Sequence, residues 1–185
     1  MHQPIKFLSL ILLLTSVTFA CKKRADPAPV NQGELITTVK LTFTKEGTTN
    51  ATSFLFRDPD GGGSGAPTQS DVIMLDKSTR YQMKVELLDE SKNPVVDIVE
   101  EDKEEHLLVF TPTPSSLMTV TITDRDGNNL PVGLTSDVLT GASSGNGKLK
   151  IQLRHQPPVN NQRVKNGTPG PGSDDINIDF NVMIH

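Results

Sequence analysis

The sequence contains no tryptophan, a single tyrosine and a single cysteine, and aromatic residues make up 4% of its 185 residues. The lack of tryptophan argues against a sugar-binding platform, because such platforms need exposed aromatic rings. One cysteine cannot form a disulfide within the chain. With 18 basic against 22 acidic residues, the net charge of −4 offers no positively charged surface for nucleic acid. We therefore expect no nucleic-acid partner.

Residues 1–20 have the pattern of an export signal. Lys6 precedes an apolar run at residues 7–14, which is too short for a membrane-spanning helix because such a helix needs roughly 20 apolar residues. Ala20 stands directly before Cys21, as in a bacterial lipobox. This order predicts a lipoprotein that is anchored to the membrane through an acylated Cys21. The alternative is an ordinary secretory signal followed by an unmodified cysteine.

A tether and one domain are predicted after the signal. Residues 21–33 combine charged residues and prolines without an apolar period, which is typical of a disordered tether. Residues 34–185 are the predicted domain, and their length allows one sizeable core but not two large lobes around a ligand cleft. Two loose segments, 61–68 and 157–173, are predicted to be surface loops within this domain.

Apolar and polar residues alternate along most of the domain. The alternation is clearest at residues 35–43, 54–56, 81–87, 118–122, 149–153 and 176–184, and shorter runs at 71–75, 107–110 and 132–139 predict three more strands. A period of two gives each strand one buried and one wet face, as in an antiparallel sheet. About eight to nine strands with frequent turns predict an all-β, immunoglobulin-like antiparallel β-sandwich. A barrel is the alternative.

One short helix is predicted over residues 94–105, because a proline opens this segment and acidic residues follow it. On such a helix Glu101 and Glu105 lie one turn apart on one face, and His106 comes directly after them. His155, at the end of a later strand, can complete the group from across the fold. Carboxylates and imidazoles suit Zn²⁺ or a similar divalent ion, so these four residues are the predicted metal ligands. The alternative is a solvated acidic helix with two unrelated surface histidines.

Other acidic groups give weaker signals. The turns at 58–61 and 124–128 contain the Asp-x-Asp-Gly opening of a calcium loop, but neither continues to a glutamate at the twelfth position. We therefore interpret both as ordinary hairpin turns. The pair Asp174 and Asp175, taken together with Asp137, has no spacing that points to a site.

A family resemblance covers nearly all of the chain after the signal. It is carried by residues 34–43 (ELITTVKLTF), 81–110, 132–134 (VGL), 153–157 (LRHQP) and 175–180. At these segments the chain resembles small envelope lipoproteins of Bacteroidota that often carry the label "type 1 periplasmic binding fold superfamily". The label conflicts with the sequence, because two α/β lobes need about twice this length and a βαβ pattern.

The resemblance also bears on the membrane face. Relatives commonly have acidic residues after the lipidated cysteine, in a pattern similar to a surface-export signal, whereas basic residues occupy positions 22–24 here. We therefore expect a protein anchored to the outer membrane, and its position on the periplasmic face or the cell surface stays open.

Two classes of function remain, because the chain has no P-loop and its one thiol is expected to be acylated, which leaves little support for catalysis. The first is a non-enzymatic interaction module that docks on an outer-membrane partner such as a transport protein. The second is a periplasmic or surface binding protein for a divalent metal or a small solute. No cofactor other than such a metal is expected.

Overall fold

A computed structural model describes residues 34–61, 66–100 and 102–185. The predictions for the signal at residues 1–20, for the tether with its lipidated Cys21, and for Glu101 as a metal ligand all lie outside the described residues. Within the described ranges, no helix has the length and apolar character that crossing a bilayer requires.

The described residues form eleven β-strands and no helix. The strands are β1 (Thr38–Lys45), β2 (Ala51–Arg57), β3 (Gln69–Ser70), β4 (Val72–Leu75), β5 (Arg80–Asp89), β6 (Val96–Asp97), β7 (His106–Thr113), β8 (Met118–Ile122), β9 (Thr135–Thr140), β10 (Gly145–His155) and β11 (Ser173–Ile184). All nine segments with the predicted alternation contain a strand. The two-residue strands β3 and β6 were not predicted.

The strands divide between two sheets. A seven-stranded sheet has the order β3-β2-β1-β5-β9-β8, with β6 also paired to β5, and a four-stranded sheet has the order β4-β11-β10-β7. The predicted all-β sandwich is confirmed, because the described strands form two sheets and do not close into one barrel. One pairing departs from the antiparallel prediction, since β4 runs parallel to β11.

Alternating burial explains why the sequence forms these strands. In β5 the side chains of Tyr81, Met83, Val85 and Leu87 are buried, whereas Gln82 and Lys84 between them are exposed. In β10 the buried positions are Leu149, Ile151 and Leu153. The inward residues of both sheets join one apolar cluster. Each large side chain that is fully buried there contributes about 1.5–3 kcal/mol to folding.

The predicted helix over residues 94–105 is wrong. Its described residues form turns and the short strand β6, which extends the edge of β5. The N–H of Ile98 donates to the carbonyl of Leu87, and Val99 is completely buried. Two consecutive valines at positions 95–96 also favour strand over helix, because β-branched side chains fit a pleated surface. Pairing with β5 therefore outweighs the acidic helix-start pattern.

A buried ion pair fixes the long loop between β10 and β11. The ammonium of Lys165 lies 2.9 Å from a carboxylate oxygen of Asp126, and neither side chain is exposed. Lys165 also donates to the carbonyl of Lys103 at 2.7 Å. Burial alone would raise the pKa of Asp126, but its hydrogen bonds with Lys165 and with the N–H groups of Leu130 and Asn128 lower it below its usual value. The loop is thereby held against the turn that leads into β7.

Candidate metal centre

Two histidines lie side by side at one end of the four-stranded sheet. His106 is the first residue of β7 and His155 is the last residue of β10, and the two pair directly across these antiparallel strands. Directly opposed residues share one face of a sheet. Their rings are accordingly stacked, with centroids 4.7 Å apart and planes 14° apart. Both side chains are buried.

A β-bulge brings a carboxylate to the two rings. The register between β10 and β11 shifts between Leu153 and Arg154, which leaves Asp175 as an extra residue of β11 without a paired partner. Bulges redirect the side chain of the residue that they contain. Oδ2 of Asp175 lies 3.4 Å from Nε2 of His106 and 3.7 Å from Nδ1 of His155.

A hydrogen bond to the backbone sets the tautomer of His106. Its Nδ1 lies 2.9 Å from the carbonyl oxygen of Asp102. Because a carbonyl can only accept, Nδ1 carries the hydrogen, and Nε2 of the neutral ring presents a lone pair. A carbonyl that accepts from one ring nitrogen in this way orients a histidine for metal binding through the other nitrogen.

Two carboxylate oxygens face that lone pair. Oδ2 of Asp175 lies 3.4 Å from Nε2 of His106, and Oε2 of Glu34 lies 3.6 Å from the same nitrogen. All three atoms are buried and have no hydrogen bond within the part of the chain that the structure describes. Leaving a buried polar group unsatisfied costs about 1–3 kcal/mol. The arrangement is therefore suited to a cation, which is either a proton on His106 or a metal ion.

The same contacts shift the pKa values of His106 and Glu34. Burial alone would lower the pKa of His106, but the Asp175 carboxylate, the Asp102 carbonyl and the charge of Glu34 outweigh burial and raise it above its usual value. Burial raises the pKa of Glu34, and Asp175 and Asp102 add to the increase while His106 opposes it. Without a metal ion, His106 and Glu34 therefore each hold a proton more readily than the free side chains do.

His155 links these residues to Glu105. Nε2 of His155 lies 3.4 Å from Oε2 of Glu105, on the other side of the ring from Asp175. The carbonyl of Glu105 accepts the N–H of Gln156 at 2.6 Å, which holds the turn before β7 against the end of β10. The Glu105 side chain is therefore a partner of His155.

The distances between the possible ligand atoms are close to those around a bound metal ion. One ligand atom from each of His106, His155 and Asp175 lies within 4.8 Å of the others. A tetrahedral Zn²⁺ ion with bonds of about 2.0–2.1 Å separates its ligand atoms by roughly 3.3 Å. The 3.4 Å between His106 and Asp175 is close to that separation. We call Glu34, His106, His155 and Asp175 the histidine–carboxylate cluster.

The stacked rings place one condition on metal binding. An imidazole holds a metal ion in the plane of its ring, whereas the planes of His106 and His155 are nearly parallel and displaced from each other. One ion can therefore be bound by both only after one ring rotates. His106 and Asp175 need no such rotation to share an ion.

Sequence reasoning selected part of this cluster. It chose His106 and His155, which belong to the cluster, and Glu105, which lies outside it but contacts His155. It also chose Glu101, which lies outside the described residues. It grouped Asp175 with Asp137 and found no site there. The structure separates these two aspartates, because Asp137 lies on β9 in the other sheet.

Two members of the cluster were missed. Asp175 directly precedes the alternating run of β11, and the pairing of β11 with β10 would have placed it near His155. Glu34 had no comparable signal, because it precedes β1 and reaches His106 only through the packing of the two sheets.

The acidic turn at residues 124–128 has a structural role. Asp126 accepts the N–H groups of Asn128 and Leu130 in addition to its ion pair. Asp124 accepts the N–H groups of Gly133 and Leu134. These carboxylates therefore brace the connection between β8 and β9, which agrees with its interpretation as a hairpin turn.

No protein-family model, curated protein or solved structure matches this chain. The resemblance to envelope lipoproteins of Bacteroidota therefore stays an expectation from the sequence. The functional argument below rests on the geometry of the histidine–carboxylate cluster.

Proposed function

We propose that this protein is a non-enzymatic envelope lipoprotein that binds a divalent metal ion, with Zn²⁺ as the best chemical match, in the histidine–carboxylate cluster. One observation carries the proposal. The buried oxygens of Asp175 and Glu34 lie 3.4 and 3.6 Å from Nε2 of His106, and none of the three atoms makes a hydrogen bond within the described residues. A divalent cation between them replaces their mutual repulsion by attraction.

The types of ligand atom and the burial of the side chains that carry them support a zinc ion that is bound but does not catalyse a reaction. Imidazole nitrogens suit Zn²⁺ and neighbouring transition metals, whereas Ca²⁺ and Mg²⁺ take oxygen ligands. The side chains of His106, Asp175 and His155 are 1%, 3% and 10% exposed. Metal ions that are held for structure or storage occupy such closed sites, whereas a catalytic zinc ion keeps one position open for water.

The envelope part of the proposal rests on the sequence. The export signal at residues 1–20 and the lipobox-like Ala20–Cys21 junction support anchoring to the outer membrane through an acylated Cys21. The proposal applies equally to a protein on the periplasmic face and to one on the cell surface.

Thermal unfolding with and without Zn²⁺ tests the metal proposal. The measurements use a Cys21→Ser background, so that the thiol does not bind the ion. We expect Zn²⁺ to raise the melting temperature, since a ligand at a hundredfold excess over its Kd adds about 2.7 kcal/mol of stability. His106→Ala combined with His155→Ala should remove this response.

The matched control is His185→Ala. His185 also lies near a carboxylate, with its Nε2 3.5 Å from Asp76, but its side chain is 61% exposed. This variant should respond to Zn²⁺ like the unsubstituted protein. The proposal fails if Zn²⁺ leaves the melting temperature of the unsubstituted protein unchanged, or if the double variant keeps the full response.

Docking on an outer-membrane partner is a second candidate function, and an apolar patch favours it. Val72 and Met74 of β4 lie beside Met183 of β11, and all three side chains are exposed. Met74 and Met183 pair directly across the two strands. Contiguous exposed apolar side chains on a soluble domain often mark a protein–protein contact. Docking and metal binding use separate residues and do not exclude each other.

A further inference from the structure

Glu34 reaches the histidine–carboxylate cluster from a different part of the fold than the other members do. His106, His155 and Asp175 belong to β7, β10 and β11 of the four-stranded sheet, whereas Glu34 precedes β1 of the seven-stranded sheet. Its Oε2 is buried and lies 3.6 Å from Nε2 of His106, without a hydrogen bond in the described structure. Removing a carboxylate oxygen from water without a partner is costly.

The backbone around Glu34 supplies little to hold it there. Leu35, the next residue, is exposed. Within the described ranges, the first backbone hydrogen bond that this segment donates joins the N–H of Thr37 to the carbonyl of Leu88. Ile36 is buried in the core and Thr37 is hydrogen-bonded, so the chain is firmly held from residue 36 onward. Of the described residues, only Glu34 and Leu35 precede these attachments, and the position of the Glu34 carboxylate depends on what its side chain binds.

We propose that Glu34 is the fourth ligand of the bound ion, and that the ion thereby fastens the start of the domain to the four-stranded sheet. This inference rests on the proposed function of the cluster. A closed zinc site has four protein ligands. His106 and Asp175 supply two donor atoms in place, and His155 supplies a third once its ring rotates. The 3.6 Å from Glu34 to His106 is near the separation of roughly 3.3 Å between ligands of a tetrahedral zinc ion.

Metal occupancy then controls how firmly Glu34 and Leu35 are held ahead of the buried Ile36. Without the ion, the carboxylates of Glu34 and Asp175 approach the same nitrogen and repel each other. With the ion, both bind the same positive charge, and local opening of the segment has to break a metal–ligand bond.

The experiment compares Glu34→Gln with Glu46→Gln in the Cys21→Ser background. Glu46 is the control because it is exposed in the turn between β1 and β2. Calorimetric titration with Zn²⁺ gives the affinity, and backbone hydrogen exchange at residues 35 and 36, ahead of the hydrogen-bonded Thr37, reports on the segment. We expect Glu34→Gln to bind Zn²⁺ about tenfold more weakly or worse. Zn²⁺ should slow exchange at these residues in Glu46→Gln but not in Glu34→Gln.

The outcomes separate the two proposals. If Glu34→Gln binds Zn²⁺ as tightly as Glu46→Gln and shows the same slowing of exchange, Glu34 is not a ligand and the metal site stands without it. If the unsubstituted protein binds no Zn²⁺, the proposed function fails and this inference fails with it. Equal melting temperatures of the two metal-free variants would exclude misfolding as the cause of a lower affinity.

Discussion

At the scale of single residues, Lys165 supports the candidate site without touching it. Its ammonium pairs with Asp126 and donates to the carbonyl of Lys103. Lys103 follows Asp102, whose carbonyl accepts the hydrogen of His106 Nδ1. The buried ammonium therefore steadies the short turn that sets which nitrogen of His106 presents a lone pair.

Replacing Lys165 should be strongly destabilising. Lys165→Met keeps an unbranched side chain but leaves the buried carboxylate of Asp126 without its cation, at a cost of about 3–5 kcal/mol. Urea unfolding followed by circular dichroism measures this loss. The control is Lys92→Met, because Lys92 is 63% exposed and lies 3.9 Å from Asp89, and we expect it to cost at most about 0.5 kcal/mol. Similar losses in the two variants would contradict the role given to the buried pair.

The sequence predicts some members of the cluster better than others. His106 and His155 could be selected because they are two of only four histidines in the chain, and one adjoins a run of acidic residues. Asp175 could not be selected from spacing, since a bulge turns its side chain toward the histidines. Glu34 depends on how the two sheets pack, which local patterns do not contain.

At the scale of strands, period-two alternation was sufficient to predict a strand wherever that strand has one buried and one solvent-exposed face. It failed for β3 and β6, which have two residues each and so contain no period. The acidic composition of residues 94–105 predicted a helix because the helix-start pattern is local. The pairing of this segment with β5 is a tertiary contact that the pattern does not report. Alternation could not predict the parallel pairing of β4 with β11 either, because the pattern is the same whichever way the strand runs.

The pair β4 and β11 also carries the prediction for docking. Met74→Lys should reduce the recovery of a partner from detergent-solubilised envelopes, because a charge in an apolar contact must be desolvated when the contact forms. Quantitative mass spectrometry of the co-purified proteins measures the recovery. Val159→Lys places the same charge at an exposed valine outside β4 and β11 and should leave recovery unchanged. If both variants recover the same proteins in the same amounts, the patch is not a docking surface.

At the scale of the whole molecule, the prediction concerns the anchor. Cys21→Ser removes the thiol that acylation requires, so the protein should move from the membrane fraction to the soluble fraction. The expected shift is nearly complete, because two or three acyl chains supply most of the membrane affinity, at about 0.8 kcal/mol for each buried CH₂ group. Cell fractionation with immunoblotting measures it. Unchanged partitioning of the variant into membranes would show that Cys21 is not the anchor.

The position of β11 inside its sheet determines when the domain can be completed. β11 lies between β4 and β10, so the four-stranded sheet lacks an interior strand until residues 173–184 are available. A chain that leaves a ribosome or a secretion channel with its amino end first therefore presents most of its strands before this sheet can close. Completion of the four-stranded sheet is therefore delayed to the last stage of passage. The same residues that finish the core also set the moment at which it can form.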